Sequence, residues 1–350
     1  MTIIDPQAPI LVTGASGYVA GWLIKDLLAA GHTVHGTVRD PDKTSSVAHL
    51  RQMDQTAPGT LKLFQADLLQ EGSFAEAMAG CQVVMHTASP FILTGITDPQ
   101  EQLVRPALLG TENVLETANQ TDSVRRVVLT SSVVATVGDA MDLRESGKNA
   151  ITEDDWNTTS NAEHQPYAYS KTVAERRAWE MVNNQDRWDL VTINPGAVFG
   201  PSLAPGSKSA SIDLLVQLGD GRAKMGVPAL ELGIVDVRDV AQAHIQAAFR
   251  PEAKGRYLTC NTSLTLMQMA NILRGRYAGD YPFPTRTLPK PLVWLAAPMA
   301  GLTRDYVSRN VGFDLRFDNT RSKEDLGLGY YPAEQTLVEH FEQLAADHRV

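Results

Sequence analysis

Only two cysteines, Cys81 and Cys260, occur in 350 residues. They form no Cys-x-x-Cys and no Cys/His cluster, which argues against a disulfide-framed fold and a zinc site. Both are expected to be reduced core residues, and no metal is expected. The chain has no basic block, and its net charge is −9. That balance disfavours nucleic acid and anionic membrane as partners. Long apolar runs are also missing. The longest, Pro291 to Leu302, spans about twelve residues and is broken by Pro298 and Gly301, too short to cross a bilayer. The first residues, MTIIDPQAPILVTG, lack a charged segment followed by an apolar one, so no signal peptide is expected. These absences point to a cytoplasmic protein that acts on small molecules, as a monomer or a homodimer.

Enough apolar residues are present for a sizeable core: 43% are hydrophobic and 20% charged. Their spacing alternates between two periods. Short apolar or β-branched runs fall at Ile10 to Thr13, Thr33 to Val38, Leu61 to Phe64, Val83 to His86, Val127 to Thr130 and Leu190 to Ile193. Helix-like stretches separate them, at Tyr18 to Ala30, Ser73 to Met78, Glu101 to Asn119 and Tyr167 to Asn183. Strands that are apolar throughout, alternating with helices, predict an α/β fold: a Rossmann-type, doubly wound parallel sheet covered on both faces. Beyond Pro195 the rhythm changes. Helices are expected at Ile212 to Leu218, Val237 to Phe249 and Leu264 to Tyr277, and one more strand at Arg256 to Thr259. The expected division is a dinucleotide-binding domain of residues 8–195 plus 234–262, and a smaller substrate-binding domain of 196–233 plus 263–350.

Ligands of such sheets sit beyond the C-terminal ends of the strands. Thr13-Gly-Ala-Ser-Gly-Tyr-Val-Ala20 lies at such an end and opens a helix. Gly14 and Gly17 permit a tight turn and a close approach of backbone to pyrophosphate, and the helix N-terminus favours its charge. Thr13, Gly14, Ser16, Gly17, Tyr18 and Val19 are therefore candidate cofactor contacts. Arg39 follows the second strand, twenty-two residues after Gly17. A carboxylate there would select a ribose 2′-hydroxyl and repel a 2′-phosphate. An arginine pairs with the phosphate, so NADP(H) is the expected cofactor. Asp67 and Leu68 follow the third strand, where a carboxylate can meet adenine or simply cap a turn.

Tyr167 and Lys171 are four residues apart, on one face of a helix about one turn apart. A nearby cation lowers a phenol's pKa and suits it to proton transfer. Such a pair also arises by chance, and an exposed helix pair is the plainer reading of it alone. Ser132 ends the fifth strand, where a hydroxyl can reach a substrate carbonyl. Asn194-Pro-Gly196 ends the next and would flank a nicotinamide.

Taken together, TGASGYVA, Ser132, Tyr167-x-x-x-Lys171 and NPGAVFGP resemble the extended short-chain dehydrogenase/reductases. The phrases GTVRDP, ADLLQEGSF, HTASP, RRVVLTSS and VDVRDVAQAHI narrow the resemblance to the branch of dihydroflavonol reductase, cinnamoyl-CoA reductase and microbial carbonyl reductases. The match runs from about Ile10 to Tyr257, with FDNTRSKEDLG (Phe317 to Gly327) as a further echo. It implies that Tyr167 is the general acid, that Lys171 holds the nicotinamide ribose and lowers the Tyr167 pKa, and that Ser132 rather than Ser131 binds the carbonyl oxygen. It further implies that Arg39 holds the 2′-phosphate, although Ser45 and Ser46 stand where some relatives carry a second basic residue. Thr87, Ala88 and Ser89 would lie under phosphate and ribose, and Pro195, Gly196 and Val198 beside the carboxamide. The expected reaction is NADPH-dependent reduction of an aldehyde or ketone. An NAD-dependent epimerase or dehydratase of the same fold is the alternative, but Val133-Val134 after Ser132 offers no second acid. A non-catalytic dinucleotide sensor is a third reading, against which the chain keeps Ser132, Tyr167 and Lys171. The expected pocket walls, with Phe91, Ile92, Leu93, Leu203, Leu214, Met225, Val227 and Trp294, suit an apolar or aromatic carbonyl better than a sugar nucleotide.

Overall fold

The computed structural model describes residues 4–89, 97–204, 206–207, 209–277 and 279–350. Up to Pro195, strand and helix alternate. The order is β1 (Ile10–Thr13), α1 (Tyr18–Ala29), β2 (Thr33–Val38), α2 (Thr44–Thr56), β3 (Thr60–Gln65), α3 (Ala75–Met78) and β4 (Val83–His86). It continues with α4 (Arg105–Gln120), β5 (Arg126–Thr130), α5 (Ala140–Ser146), α6 (Pro166–Val182) and β6 (Asp189–Pro195). Then follow β7 (Ala197–Phe199), α7 (Ala210–Gly219), β8 (Val227–Pro228), β9 (Glu231–Asp236), α8 (Val237–Phe249), β10 (Gly255–Thr259) and β11 (Thr262–Thr265). The last part holds α9 (Leu266–Tyr277), β12 (Thr287–Leu288), α10 (Lys290–Ala296), α11 (Arg304–Asn310), α12 (Thr320–Glu324) and α13 (Ala333–Ala346).

Seven strands form one parallel sheet in the order β10-β6-β5-β4-β1-β2-β3. All residues of β1 and β4 are buried, because helices cover both faces. On one face α1 and α8 lay Leu23, Ile24, Leu27, Ala243 and Ala247 against Val12, Val34 and Met85. On the other, α4 and α6 bring Val114, Leu115, Ala178 and Met181 against Leu11, Val84 and Val127. A fully buried leucine or valine contributes about 1.5–3 kcal/mol, so these two layers are what holds the sheet. The chain builds outward from β1 to β3, then restarts on the other side of β1 with β4. That reversal opens a crevice at the C-terminal ends of β1 and β4, where a ligand of an open α/β sheet binds.

The hydrophobic pattern gave no expectation of α2, since only Val47 and Leu50 of its thirteen residues are buried. The second layer is a three-stranded sheet, β11-β9-β7, with α7, α9 and α13 packed on Phe199, Leu215, Leu273 and Phe341. Strand β9 lies wholly in this sheet and runs through the expected boundary at 233/234. No described helix is long and apolar enough to cross a membrane.

Candidate functional site

The turn between β1 and α1 is shaped by two glycines. Gly14 has φ +68°, and a Cβ there would meet Ala88 Cα at 3.0 Å. A Cβ on Gly17, the α1 N-cap, would meet the Gly14 carbonyl at 3.0 Å. No side chain caps α1, so its first-turn amides point outward without a side-chain acceptor. A bare helix N-terminus behind a glycine turn fits a phosphate group. Thr13 anchors the turn from below and is fully buried. Its Oγ1 lies 2.8 Å from His86 Nδ1 and accepts from the Ala88 amide at 3.1 Å, while Thr87 Oγ1 donates to the Thr13 carbonyl at 2.6 Å. These bonds join the loops after β1 and β4 into one floor.

An open groove of about 540 Å³ runs over that floor. Gly14, Ser16, Gly17, Arg39, Asp67, Leu68, Thr87, Ala88 and Ser89 line it. The expected cofactor contacts from four separate strand ends thus meet in one space. Arg39 is exposed at the end of β2. Asp67 does take the turn role, its Oδ1 accepting from the Leu69 amide at 2.8 Å, and still borders the groove.

The two serines after β5 part company. Ser131 is buried, and its hydroxyl donates to the Glu175 carboxylate. Ser132 is half-buried, with only long contacts: its Oγ is 3.4 Å from the Pro195 carbonyl and 3.3 Å from the Val134 amide. On α6, Lys171 Nζ donates to Ser89 Oγ at 3.1 Å, which brings the Tyr167–Lys171 face to the edge of the groove. Tyr167 keeps 37% of its surface. Even so, desolvation pushes its phenol up to about 12. The expected lowering by Lys171 is therefore corrected: burial dominates over the cation. Burial also pushes Lys171 down to about 8, with Glu175 acting in the opposite direction. His86, buried beside Lys171, is pushed down to about 3 by burial and then by the lysine's charge, and stays neutral.

Other expected contacts face elsewhere. The Tyr18 hydroxyl donates to the Gly200 carbonyl, tying α1 to the loop after β7. The Gly196 amide donates to the Thr259 carbonyl at 3.0 Å, and a Cβ on Gly196 would lie 2.5 Å from the Gly233 carbonyl, so its smallness serves the junction with β9. Pro195 closes β6 and Val198 sits half-buried in β7. Among the expected pocket walls, Val227 is a core residue, packed with Leu215 and Phe283. Met225 is 68% exposed, and Phe91, Ile92 and Leu93 lie outside the described residues.

The sequence reading missed two buried clusters beside the site. Glu175 lies one further turn along the Tyr167–Lys171 face. Gln165, just before α6, adopts φ +55° and donates to the Gly138 carbonyl at 2.5 Å and Asp139 at 2.6 Å. The fully buried Asp139 also accepts from His164 at 2.9 Å, Arg309 at 2.6 Å and Asn310 at 2.6 Å. Burial alone would raise its carboxyl, but those donors outweigh it and hold it below the usual value. The i, i+4, i+8 spacing could have signalled Glu175. Nothing local signals Asp139, whose partners are up to 171 residues away.

A doubly wound parallel sheet, a glycine turn at an open helix N-terminus and a strand-end groove define a Rossmann-type dinucleotide-binding fold. The chain belongs to the NAD dependent epimerase/dehydratase family, which it matches over residues 10–261, and within it to the extended short-chain dehydrogenase/reductases. It is 36% identical over 344 residues to cinnamoyl-CoA reductase CAD2 of Medicago truncatula, covering 96% of this chain and 95% of that enzyme. It is 39% identical to tetraketide alpha-pyrone reductase 1 of Arabidopsis thaliana over 283 residues, 80% of this chain and 84% of that one. Among solved structures, Gre2 of Candida albicans in complex with NADPH superposes with a TM-score of 0.77 at 29% identity, over 97% of this chain and 99% of the other.

Proposed function

We propose that this protein reduces an aldehyde or ketone to the alcohol with NADPH, Tyr167 acting as the general acid. At the coarser level it is an oxidoreductase that uses NAD(P)H to reduce a carbonyl. The observation that carries the reading is the Lys171–Ser89 hydrogen bond of 3.1 Å, which joins the Tyr167–Lys171 helix face to the loop bordering the phosphate turn.

When bound, the cofactor supplies hydride. The α1 N-terminus, Ser16 and Gly17 would hold its phosphates, and Arg39 its 2′-phosphate. Ser132 donates a hydrogen bond to the carbonyl oxygen, stabilising charge that develops there. Tyr167 then delivers its proton to that oxygen. A phenol held near 12 keeps this proton throughout the neutral range, as an acid for reduction must. Lys171 places a positive charge beside the site and hydrogen-bonds the ribose. The layer formed by residues 196–233 and 263–350 would close over the substrate and favour an apolar or aromatic carbonyl.

The test is NADPH depletion over aromatic aldehydes, aliphatic ketones, keto esters and a flavonoid ketone, with NADH in parallel. NADPH-specific turnover that Tyr167→Phe abolishes is expected. Co-purified NAD, with sugar-nucleotide turnover and no net redox change, would replace this reading with the epimerase/dehydratase one.

A further inference from the structure

Glu175 is a buried carboxylate that the proposed reaction does not use. It is 1% exposed, and its partners come from β10, β6 and the end of β5 as well as from its own helix. Arg256 of β10 donates to Oε1 at 2.7 Å, Asn194 of β6 to Oε2 at 2.7 Å, and Thr192 of β6 to Oε1 at 3.3 Å. Ser131, after β5, donates as well, and Trp179 of α6 reaches Oε1 at 3.3 Å. Arg256 is sandwiched by the Trp156 ring at 4.0 Å and by the carbonyls of Glu153 and Asp155 at 2.7 and 2.6 Å. Packing alone does not require a charge here, because a buried ion pair is often replaceable by apolar residues of similar volume.

Tyr167, Lys171 and Glu175 follow one another at i, i+4 and i+8, on one face of α6. Glu175 does not reach Lys171 directly; the lysine's hydrogen bond is to Ser89. Both instead line one small cavity of about 20 Å³, with Ser131, Thr130, His86 and Ser89 around it. That is room for one water with several polar partners. The titratable groups facing Lys171 are Tyr167 and Glu175 of α6 and His86 of β4, with Arg256 of β10 behind Glu175. Tyr167 and His86 are neutral near pH 7. Among the described residues the nearby formal charges are thus Glu175 and, farther off, Arg256.

We propose that Glu175 is a positioning residue of the reaction: from across a water-sized cavity its carboxylate keeps Lys171 protonated, and Arg256 behind it limits how strongly. This rests on the reductase reading. A lysine that lines this cavity with Ala107, Gly110, Leu129 and Ala174 pays for desolvation, and a charge of opposite sign on the same cavity offsets that cost.

The test is the pH profile of kcat with NADPH and the best carbonyl from the depletion screen. Glu175→Gln should move the alkaline limb down by about one pH unit or more, so that its loss of activity grows with pH. Glu175→Asp, which keeps the charge, should keep the limb nearer the wild-type position. Glu175→Gln leaves Arg256 buried without its partner, so Glu175→Gln/Arg256→Gln removes the pair together and should still shift the limb downward, by less than Glu175→Gln alone. Arg256→Gln alone should move the limb up. A folded Glu175→Gln or double variant whose profile keeps its wild-type shape and is only scaled in height overturns the proposal and leaves a structural ion pair. Tyr167→Phe run beside them separates the two levels: if it keeps wild-type turnover, the assignment of Tyr167 as the acid fails whatever Glu175 does, and if no carbonyl consumes NADPH, the reductase reading fails.

Discussion

Ser131 and Ser132 are adjacent in the chain and serve opposite sides of the end of β5. The Ser131 hydroxyl is committed to the buried Glu175 carboxylate, whereas Ser132 keeps only contacts of 3.3 and 3.4 Å. A hydroxyl hydrogen bond is normally about 2.7–2.8 Å, so Ser132 is the one free to bind a carbonyl oxygen. Ser132→Ala should lower kcat about 10²–10³-fold, the cost of one donor to a developing oxyanion. Ser131→Ala should instead cost about 1.5–3 kcal/mol of stability, since its partner is a buried carboxylate, with a small effect on kcat. Thermal melts and steady-state rates on both variants separate the two roles.

Tyr167→Phe should lose about 10²–10⁴-fold in kcat, the contribution of a placed acid, and still bind NADPH by fluorescence titration.

The pH dependence of reduction should follow Lys171 rather than Tyr167. The phenol, at about 12, stays protonated over the accessible range. The ammonium, lowered to about 8, is charged below that pH and loses its charge as pH rises through it. The rate should be flat toward pH 7 and fall through pH 8–9. A limb that appears only above about pH 10, where an unperturbed lysine titrates, would count against this assignment.

Arg39→Ala should raise the KM for NADPH about 10- to 100-fold, since a charge-assisted hydrogen bond contributes about 1.5–3 kcal/mol. The KM for NADH should change little. Equal losses with both cofactors would place Arg39 away from the 2′-phosphate.

Gly14→Ala forces a Cβ onto φ +68° and to 3.0 Å from Ala88. A left-handed non-glycine residue costs of order 1–3 kcal/mol, and here the strain falls on the phosphate turn. A lower Tm together with weakened NADPH binding is expected, and added NADPH should raise Tm less in the variant than in the wild type.

Local patterning carried the parallel sheet because its strands are apolar on both faces and separated by helices. The same holds for the glycine turn, Arg39 and the Tyr167–Lys171 spacing, each a short-range feature whose chemistry is written in neighbouring residues. The helix α2 escaped because it buries only two side chains. Pairings across the chain were decided by the tertiary structure alone. Glu175 meets Arg256 from 81 residues away and Asp139 meets Asn310 from 171. Burial strength was decided there too. Sequence can say that a lysine one turn from a tyrosine favours its phenolate, but the balance between that charge and desolvation depends on how much protein surrounds the hydroxyl. In this fold desolvation prevails, so the Tyr167 phenol keeps its proton and Lys171 is the group nearer to titration.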